Sequence, residues 1–315
     1  MKLNVLKQAS LPDALTAELA RRYHLVELTA LTDADFRALA GTFTVLITNG
    51  EATVTRALIA SLPALELIAV FGVGYDGVDV QAAAEHQVRV SHTPGVLTDD
   101  VADLALGLML ATSRQIVAAH KFIEAGEWAA GGFPWTQKVS GSRVGIVGMG
   151  RIGQAIARRC EGFAMQIAYH DRKRLPALNY AWREDLLTLA AESDFLVICT
   201  PGTAANQGLI NQPVLAALGE KGILINISRG SVIDEPALVA ALESGIIAGA
   251  GLDVFSHEPA VPAGLLQRSN VVVTPHMASA TWSTRAAMAQ LVLDNVACWA
   301  EKKALLTPVA ESLAD

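Results

Sequence analysis

Six residues, Gly148-Met149-Gly150-Arg151-Ile152-Gly153, constrain the fold of this chain more than any other stretch. They spell G-x-G-x-x-G between an apolar run, Val144-Gly145-Ile146-Val147, and an amphipathic segment, Arg151 to Phe163. Strand, glycine turn and helix in that order open a βαβ unit that binds a dinucleotide. The first Gly permits the tight turn, the second lets backbone approach a pyrophosphate, and the third lets helix pack closely on strand. Free N–H groups at the helix start then face the phosphates.

A second copy, Gly72-Val73-Gly74-Tyr75-Asp76-Gly77, also follows an apolar run, Leu67 to Phe71. It fits a dinucleotide poorly. Asp76 places a carboxylate where phosphate charge would sit. Its helix can only be short, because Val88-Arg89-Val90 already reads as the next strand. A tight strand-to-helix turn is the simpler reading, and its exposed backbone N–H groups can still bind a small anion.

Strand-like and helix-like segments alternate almost from end to end. Strands are expected at Leu3–Lys7, Leu25–Leu28, Thr44–Thr48, Leu65–Phe71 and Val88–Ser91, and again at Arg143–Val147, Gln166–Tyr169, Phe195–Thr200, Ile223–Ile227, Ala248–Val254 and Val271–Thr274. Apolar strands alternating with helices make parallel sheets covered on both faces. The expected fold class is therefore α/β, with two doubly wound parallel-sheet domains. Hydrophobic residues make up 52% of the 315 and aromatics only 5%, so aliphatic side chains and Ala must fill the cores. Thr98 reads as the N-cap of a long buried helix through Ala111, with Asp99 and Asp100 at its positive end. A second long helix, Thr281–Ala300, leaves too short a tail for a further domain. The chain is thus expected to return to its first domain, giving residues 1–98 plus 286–315 for one and 99–285 for the other, around a cleft. Gly126 to Trp135 reads as an irregular excursion carrying Trp128 and Trp135. It either folds onto its own domain or packs on a partner subunit.

Composition removes several function classes. A net charge of −7 without a basic block argues against a nucleic-acid partner. No apolar run approaches the roughly 20 residues of a membrane span, and Met1 to Lys7 does not read as a signal peptide. Cys160, Cys199 and Cys298 are widely spaced with no metal-ligand pattern, so no metal is expected. Free thiols in a reducing, cytoplasmic setting are the reading.

Ligands of open α/β sheets sit beyond the carboxyl ends of strands. Three such ends carry charged or titratable groups: Asn226-Ile227-Ser228-Arg229-Gly230, Asp253 to Pro259 with His257 and Glu258, and Thr274-Pro275-His276. An Arg fork matches a carboxylate, and its bland alternative is a structural ion pair. A His beside a carboxylate is favoured in its protonated form. Together the groups suit hydride transfer to a keto acid: Arg229 holds and polarises, and His276 supplies the proton. His257 is the weaker rival for that proton.

The segments GMGRIG, NISRG, GLDVFSHEP and TPHMASAT, in that order, resemble the D-isomer-specific 2-hydroxyacid dehydrogenase family over nearly the whole chain. VLTDDVADLALGLML and GVGYDGVD resemble its glyoxylate/hydroxypyruvate reductase branch. The resemblance implies a flavodoxin-like substrate domain and a Rossmann nucleotide-binding domain. It implies NAD(P)H-dependent reduction of a small 2-keto acid to the D-2-hydroxy acid. Arg229 would bind substrate, Glu258 would pair with His276, and His276 would be the acid–base group. Val73 and Gly74 N–H groups would receive the substrate carboxylate, with Ser279 a further substrate contact. Thr200, Pro201, Ile227 and Asp253 would join the glycine loop (Gly148, Met149, Gly150, Arg151, Ile152 and Gly153) around the cofactor, Asp253 at the carboxamide. A homodimer built through the long helix and the Trp128 loop is also implied. Corepressors resembling this superfamily can keep the same residues, so a non-enzymatic NAD(P)-sensing protein is the alternative. A formate- or phosphite-dehydrogenase-like reaction is a third.

The cofactor reading rests on Tyr169-His170-Asp171-Arg172-Lys173-Arg174. Relatives that use NAD end this strand Tyr-Asp, whereas here the acid comes one residue later, before three cations. Arg172 and Lys173 favour a 2′-phosphate, and Asp171 opposes it by like charge. NADP(H) is the expected cofactor, with NAD(H) as the alternative.

Overall fold

The computed structural model describes residues 2–312. The chain divides into two compact units, Met1–Leu97 with Ala280–Asp315, and Thr98–Ser279. The second crossing thus falls ahead of Arg285, where the sequence had placed it. Thr281 explains the difference: its hydroxyl caps the helix Trp282–Ala300 by accepting from the Thr284 N–H at 3.2 Å, so the whole helix belongs to the first unit.

The first unit is built on a five-stranded parallel sheet of β1 (Asn4–Lys7), β2 (His24–Glu27), β3 (Val45–Asn49), β4 (Leu67–Phe71) and β5 (Arg89–Ser91), in the order β2-β1-β3-β4-β5. This is the flavodoxin-like order. β3 and β4 are buried almost throughout, as strands covered on both faces must be. Leu6, Phe43, Leu46, Ile68 and Val90 anchor its core. The glycine copy at Gly72 leads only into the short helix Val80–Glu85.

The second unit carries a seven-stranded parallel sheet: β6 (Arg143–Val147), β7 (Gln166–His170), β8 (Ala181–Trp182), β9 (Phe195–Ile198), β10 (Ile223–Asn226), β11 (Gly249–Leu252) and β12 (Val271–Val273). The order is β12-β11-β10-β9-β6-β7-β8. Strand order reverses between β6 and β9, which defines the switch point where nucleotides bind. Register keeps the carboxyl ends level, with Val147 beside Ile198 and His170, Asn226 beside Leu252, and Leu252 beside Val273. The loops after these strands therefore emerge along one edge.

Two elements were not foreseen. β8 is two residues long, too short to show alternation. The helix Ile116–Glu124 follows the long helix Thr98–Ser113 and leaves Ile116 and Ile123 exposed. Thr98 lies inside the first turn of its helix rather than outside it as a cap. Asp99 there bonds to Arg159 at 3.1 Å, tying this helix to Arg151–Glu161. No single helix among the described residues is long and apolar enough to cross a membrane.

Candidate functional site

The glycine loop takes the geometry its spacing requires. Gly148 has φ +92°, and a Cβ there would lie 2.9 Å from the Thr200 nitrogen. A Cβ on Gly153 would meet the Gly148 oxygen at 2.2 Å, so only Gly lets this helix lie so close to the turn. A Cβ on Gly150 would meet nothing within 4 Å. That open side lies at the start of the helix Arg151–Glu161, where N–H groups and the helix dipole face outward. The loop therefore fits a pyrophosphate. Met149 and Ile227 are buried, and Asn206 holds the end of β9, donating to the Thr200 hydroxyl and the Pro201 carbonyl at 2.9 Å each.

After β7, the Asp171 carboxylate accepts from the Met149 N–H at 2.8 Å and from its neighbour's N–H, Arg172, at 2.7 Å. Trp182 of β8 donates to the Asp171 carbonyl at 3.3 Å. The anion is thus bound to the glycine loop, while Arg172, Lys173 and Arg174 are exposed. The sequence signalled the carboxylate but not this bond.

Arg229 follows β10 in a loop shaped by buried Asn226, whose amide donates to the Arg229 carbonyl at 2.9 Å and whose oxygen accepts from Ser228. A Cβ on Gly202 would lie 2.7 Å from the Arg229 Cγ. Gly230 fits against backbone: a Cβ there would lie 1.9 Å from the Phe255 carbonyl carbon. This contact sets the Arg229 loop directly against the loop after β11. Glu235, which the sequence reading missed, steadies that second loop by accepting from the Ser256 N–H at 2.7 Å.

Glu258 turns back within this loop. One oxygen accepts from the Phe255 N–H at 2.8 Å, and the other meets His276 Nδ1 at 2.7 Å. Burial pushes the Glu258 carboxyl upward. The His276 bond, the Phe255 N–H and the charges of His276 and Arg229 outweigh it and hold the group below its ordinary range. Nδ1 is thus the ring nitrogen that Glu258 engages. His257 is exposed, and its carbonyl accepts from Ala260 instead.

His276 has φ +48°, a conformation that costs a residue with a side chain about 1–3 kcal/mol and survives only where surroundings impose it. Those surroundings come from Asp253, fully buried at the end of β11. Its carboxylate accepts from the Thr274 hydroxyl at 2.6 Å and from the Met277 and Ala278 N–H groups at 2.9 Å each. Ser279 follows, half-buried.

In the other unit, Val73 and Gly74 form the half-buried turn after β4, and His92 Nδ1 lies 2.9 Å from the Val73 carbonyl. Cys160, Cys199 and Cys298 are free thiols. Burial pushes Cys160 up to about 12 and Cys199 higher still. Trp128 and Trp135 are exposed, Trp135 completely, so Trp135 does not fold onto its own unit.

Residues 106–278 match the family model for the D-isomer specific 2-hydroxyacid dehydrogenase, NAD binding domain. The chain is 45% identical over 309 residues to a hydroxyphenylpyruvate reductase of Plectranthus scutellarioides, covering 98% of this chain and 99% of that protein. It is 40% identical, at the same coverage, to a glyoxylate/hydroxypyruvate reductase of Arabidopsis thaliana. Among solved structures, an NADPH-dependent glyoxylate/hydroxypyruvate reductase from Sinorhizobium meliloti, in complex with NADP and malonate, superposes with a TM-score of 0.93 at 42% identity, covering 99% of this chain and 98% of that one. Two parallel-sheet α/β units, a glycine loop at the switch point and these full-length likenesses agree, and the chain belongs to the D-isomer specific 2-hydroxyacid dehydrogenase family of oxidoreductases.

Proposed function

We propose that this chain reduces a small 2-keto acid of the glyoxylate or hydroxypyruvate type to the D-2-hydroxy acid, using NADPH by preference and NADH as an alternative. The observation that carries this reading is the 2.7 Å pairing of Glu258 with His276, at the end of the sheet edge that also carries Arg229 and the glycine loop. A dinucleotide with its pyrophosphate on that loop would supply the hydride from its reduced nicotinamide. Arg229 binds the keto acid through its planar fork and polarises the carbonyl. His276 delivers a proton from Nε2 to the carbonyl oxygen, and Glu258 stabilises the imidazolium that precedes the transfer. The N–H groups of Val73 and Gly74 are assigned the substrate carboxylate, with Ser279 as a further contact. Thr200, Pro201 and Ile227 are assigned to the cofactor, and the exposed Arg172 and Lys173 to its 2′-phosphate, as charge complementarity requires. The Sinorhizobium meliloti relative, which was solved with NADP, supports that preference.

The same reading takes the working form to be a cytoplasmic homodimer. Free thiols suit a reducing compartment. Exposed Trp135, Trp128, Ile116 and Ile123 supply the apolar surface that a second copy would cover.

Steady-state assays of glyoxylate, hydroxypyruvate, pyruvate and bulkier 2-keto acids with both cofactors test the reaction. Failure to oxidise NADPH or NADH with every acid overturns it. Light scattering on the eluted protein tests the dimer, and a monomeric mass would remove it.

A further inference from the structure

We infer that Asp253 is the positioning residue for His276: it pins the turn that aims the imidazole, beyond any part it plays at the cofactor. This rests on the reading of His276 as the proton donor. Thr274, Met277 and Ala278 flank His276 on both sides, and all three donate to the one Asp253 carboxylate. The His276 N–H donates to the Asp253 carbonyl at 2.8 Å, so main chain and side chain of one residue grip the whole turn. Asp253 is itself fixed, because its N–H donates to the Asn226 carbonyl at 2.9 Å. Released from that grip, a histidine at φ +48° relaxes toward ordinary backbone. Its ring then leaves the Glu258 oxygen and the direction in which Nε2 points.

Chemistry favours an anion for this task. A carboxylate accepts at about four positions. Thr274 and Met277 occupy two on Oδ1, and Ala278 occupies one on Oδ2. Burial pushes the Asp253 carboxyl above its ordinary range, and the three donors with the charge of His276 offset only part of that push. Asparagine has the same shape, but one end of it is a donor. It cannot accept from Met277 and Ala278 together while keeping Thr274, so the turn must open on one side.

The test is Asp253→Asn, read in two ways. In the apoprotein, amide hydrogen exchange at Met277 and Ala278 is expected to accelerate about tenfold or more. With cofactor and keto acid both saturating, kcat is expected to fall about 100-fold, while the Kd for NADPH stays within about threefold. Unchanged exchange at both amides, or a kcat at saturating NADPH equal to that of the wild type, would overturn the inference. A second pair decides if Asp253→Asn does not fold. Thr274→Val loses one of the three donors and is expected to lower kcat about fivefold, while Thr274→Ser keeps the hydroxyl and stays within about twofold. Equal kcat for those two variants would also overturn it. The exchange measurement needs no substrate, so a wild-type protein that reduces no keto acid would defeat the proposed reaction separately.

Discussion

The Asp171 carboxylate accepts the Met149 N–H at 2.8 Å, which ties the end of β7 to the glycine loop after the neighbouring strand β6. The anion cannot swing away from a 2′-phosphate without breaking that bond. Asp171→Asn keeps an oxygen for Met149 and removes the charge. At a separation of several ångströms and intermediate dielectric, one charge contributes about 1 kcal/mol, or roughly fivefold in affinity. Asp171→Asn is therefore expected to tighten NADPH about fivefold and to leave NADH nearly unchanged, measured by fluorescence titration. An unmoved ratio would mean that Asp171 does not face the ribose.

The pairing of Glu258 with His276 fixes the sign of a pH effect. Reduction needs imidazolium, so kcat/KM should fall as pH rises through the His276 pKa. Glu258→Gln removes the partner that favours the charged ring and should bring that fall to lower pH. The descending limb of the pH–rate profile reports it directly, and a limb that stays in place sinks the pairing. Glu258 itself is held below its ordinary value of 4.5. Its contribution to stability is therefore present above that value and lost as pH falls through the lower folded pKa. Acid unfolding of Glu258→Gln should accordingly be less steep than that of the wild type.

What the sequence made legible, and what it left out, follows from where the information lies. Uninterrupted apolar runs such as Phe195–Ile198 and Ile223–Ile225 announce buried parallel strands without help from the rest of the chain. Gly148 and Gly153 announce close approach because no other residue tolerates it. His276, Glu258 and Arg229 stood out as titratable or charged groups at strand ends. The bonds that make them a constellation did not, because each joins segments distant in sequence: Glu235 to Ser256, Asp253 to Ala278, Asp171 to Met149. The strand Ala181–Trp182 has too few residues to carry a period, and it forms by pairing with Ala168 and Tyr169. The helix Ile116–Glu124 leaves Ile116 and Ile123 in the open and has no fully buried residue, so it lacks the buried apolar face that usually announces a helix.

Arg229 should act on the keto acid rather than on the nucleotide. Arg229→Gln is expected to raise the KM for keto acid about 100-fold, with the NADPH Kd kept within about threefold. Arg229→Lys should recover little, because an ammonium cannot reproduce the planar fork. Equal weakening of both ligands would assign Arg229 to the architecture of the Ser228–Gly230 loop instead.

Gly230 and Gly150 should separate stability from binding. A Cβ at Gly230 would lie 1.9 Å from the Phe255 carbonyl carbon, so the loops carrying Arg229 and Glu258 must part. Overpacking against rigid backbone costs at least the upper end of about 1–3 kcal/mol. Gly230→Ala should therefore lower the urea midpoint clearly and reduce kcat with it. A Cβ at Gly150 meets nothing within 4 Å, so Gly150→Ala should change stability by less than about 0.5 kcal/mol. That same methyl stands where the pyrophosphate must approach backbone, and the Kd for NADPH should rise about tenfold or more. Full cofactor affinity in Gly150→Ala would show that the second glycine serves the turn alone, and a normal urea midpoint in Gly230→Ala would show that the two loops are not locked together.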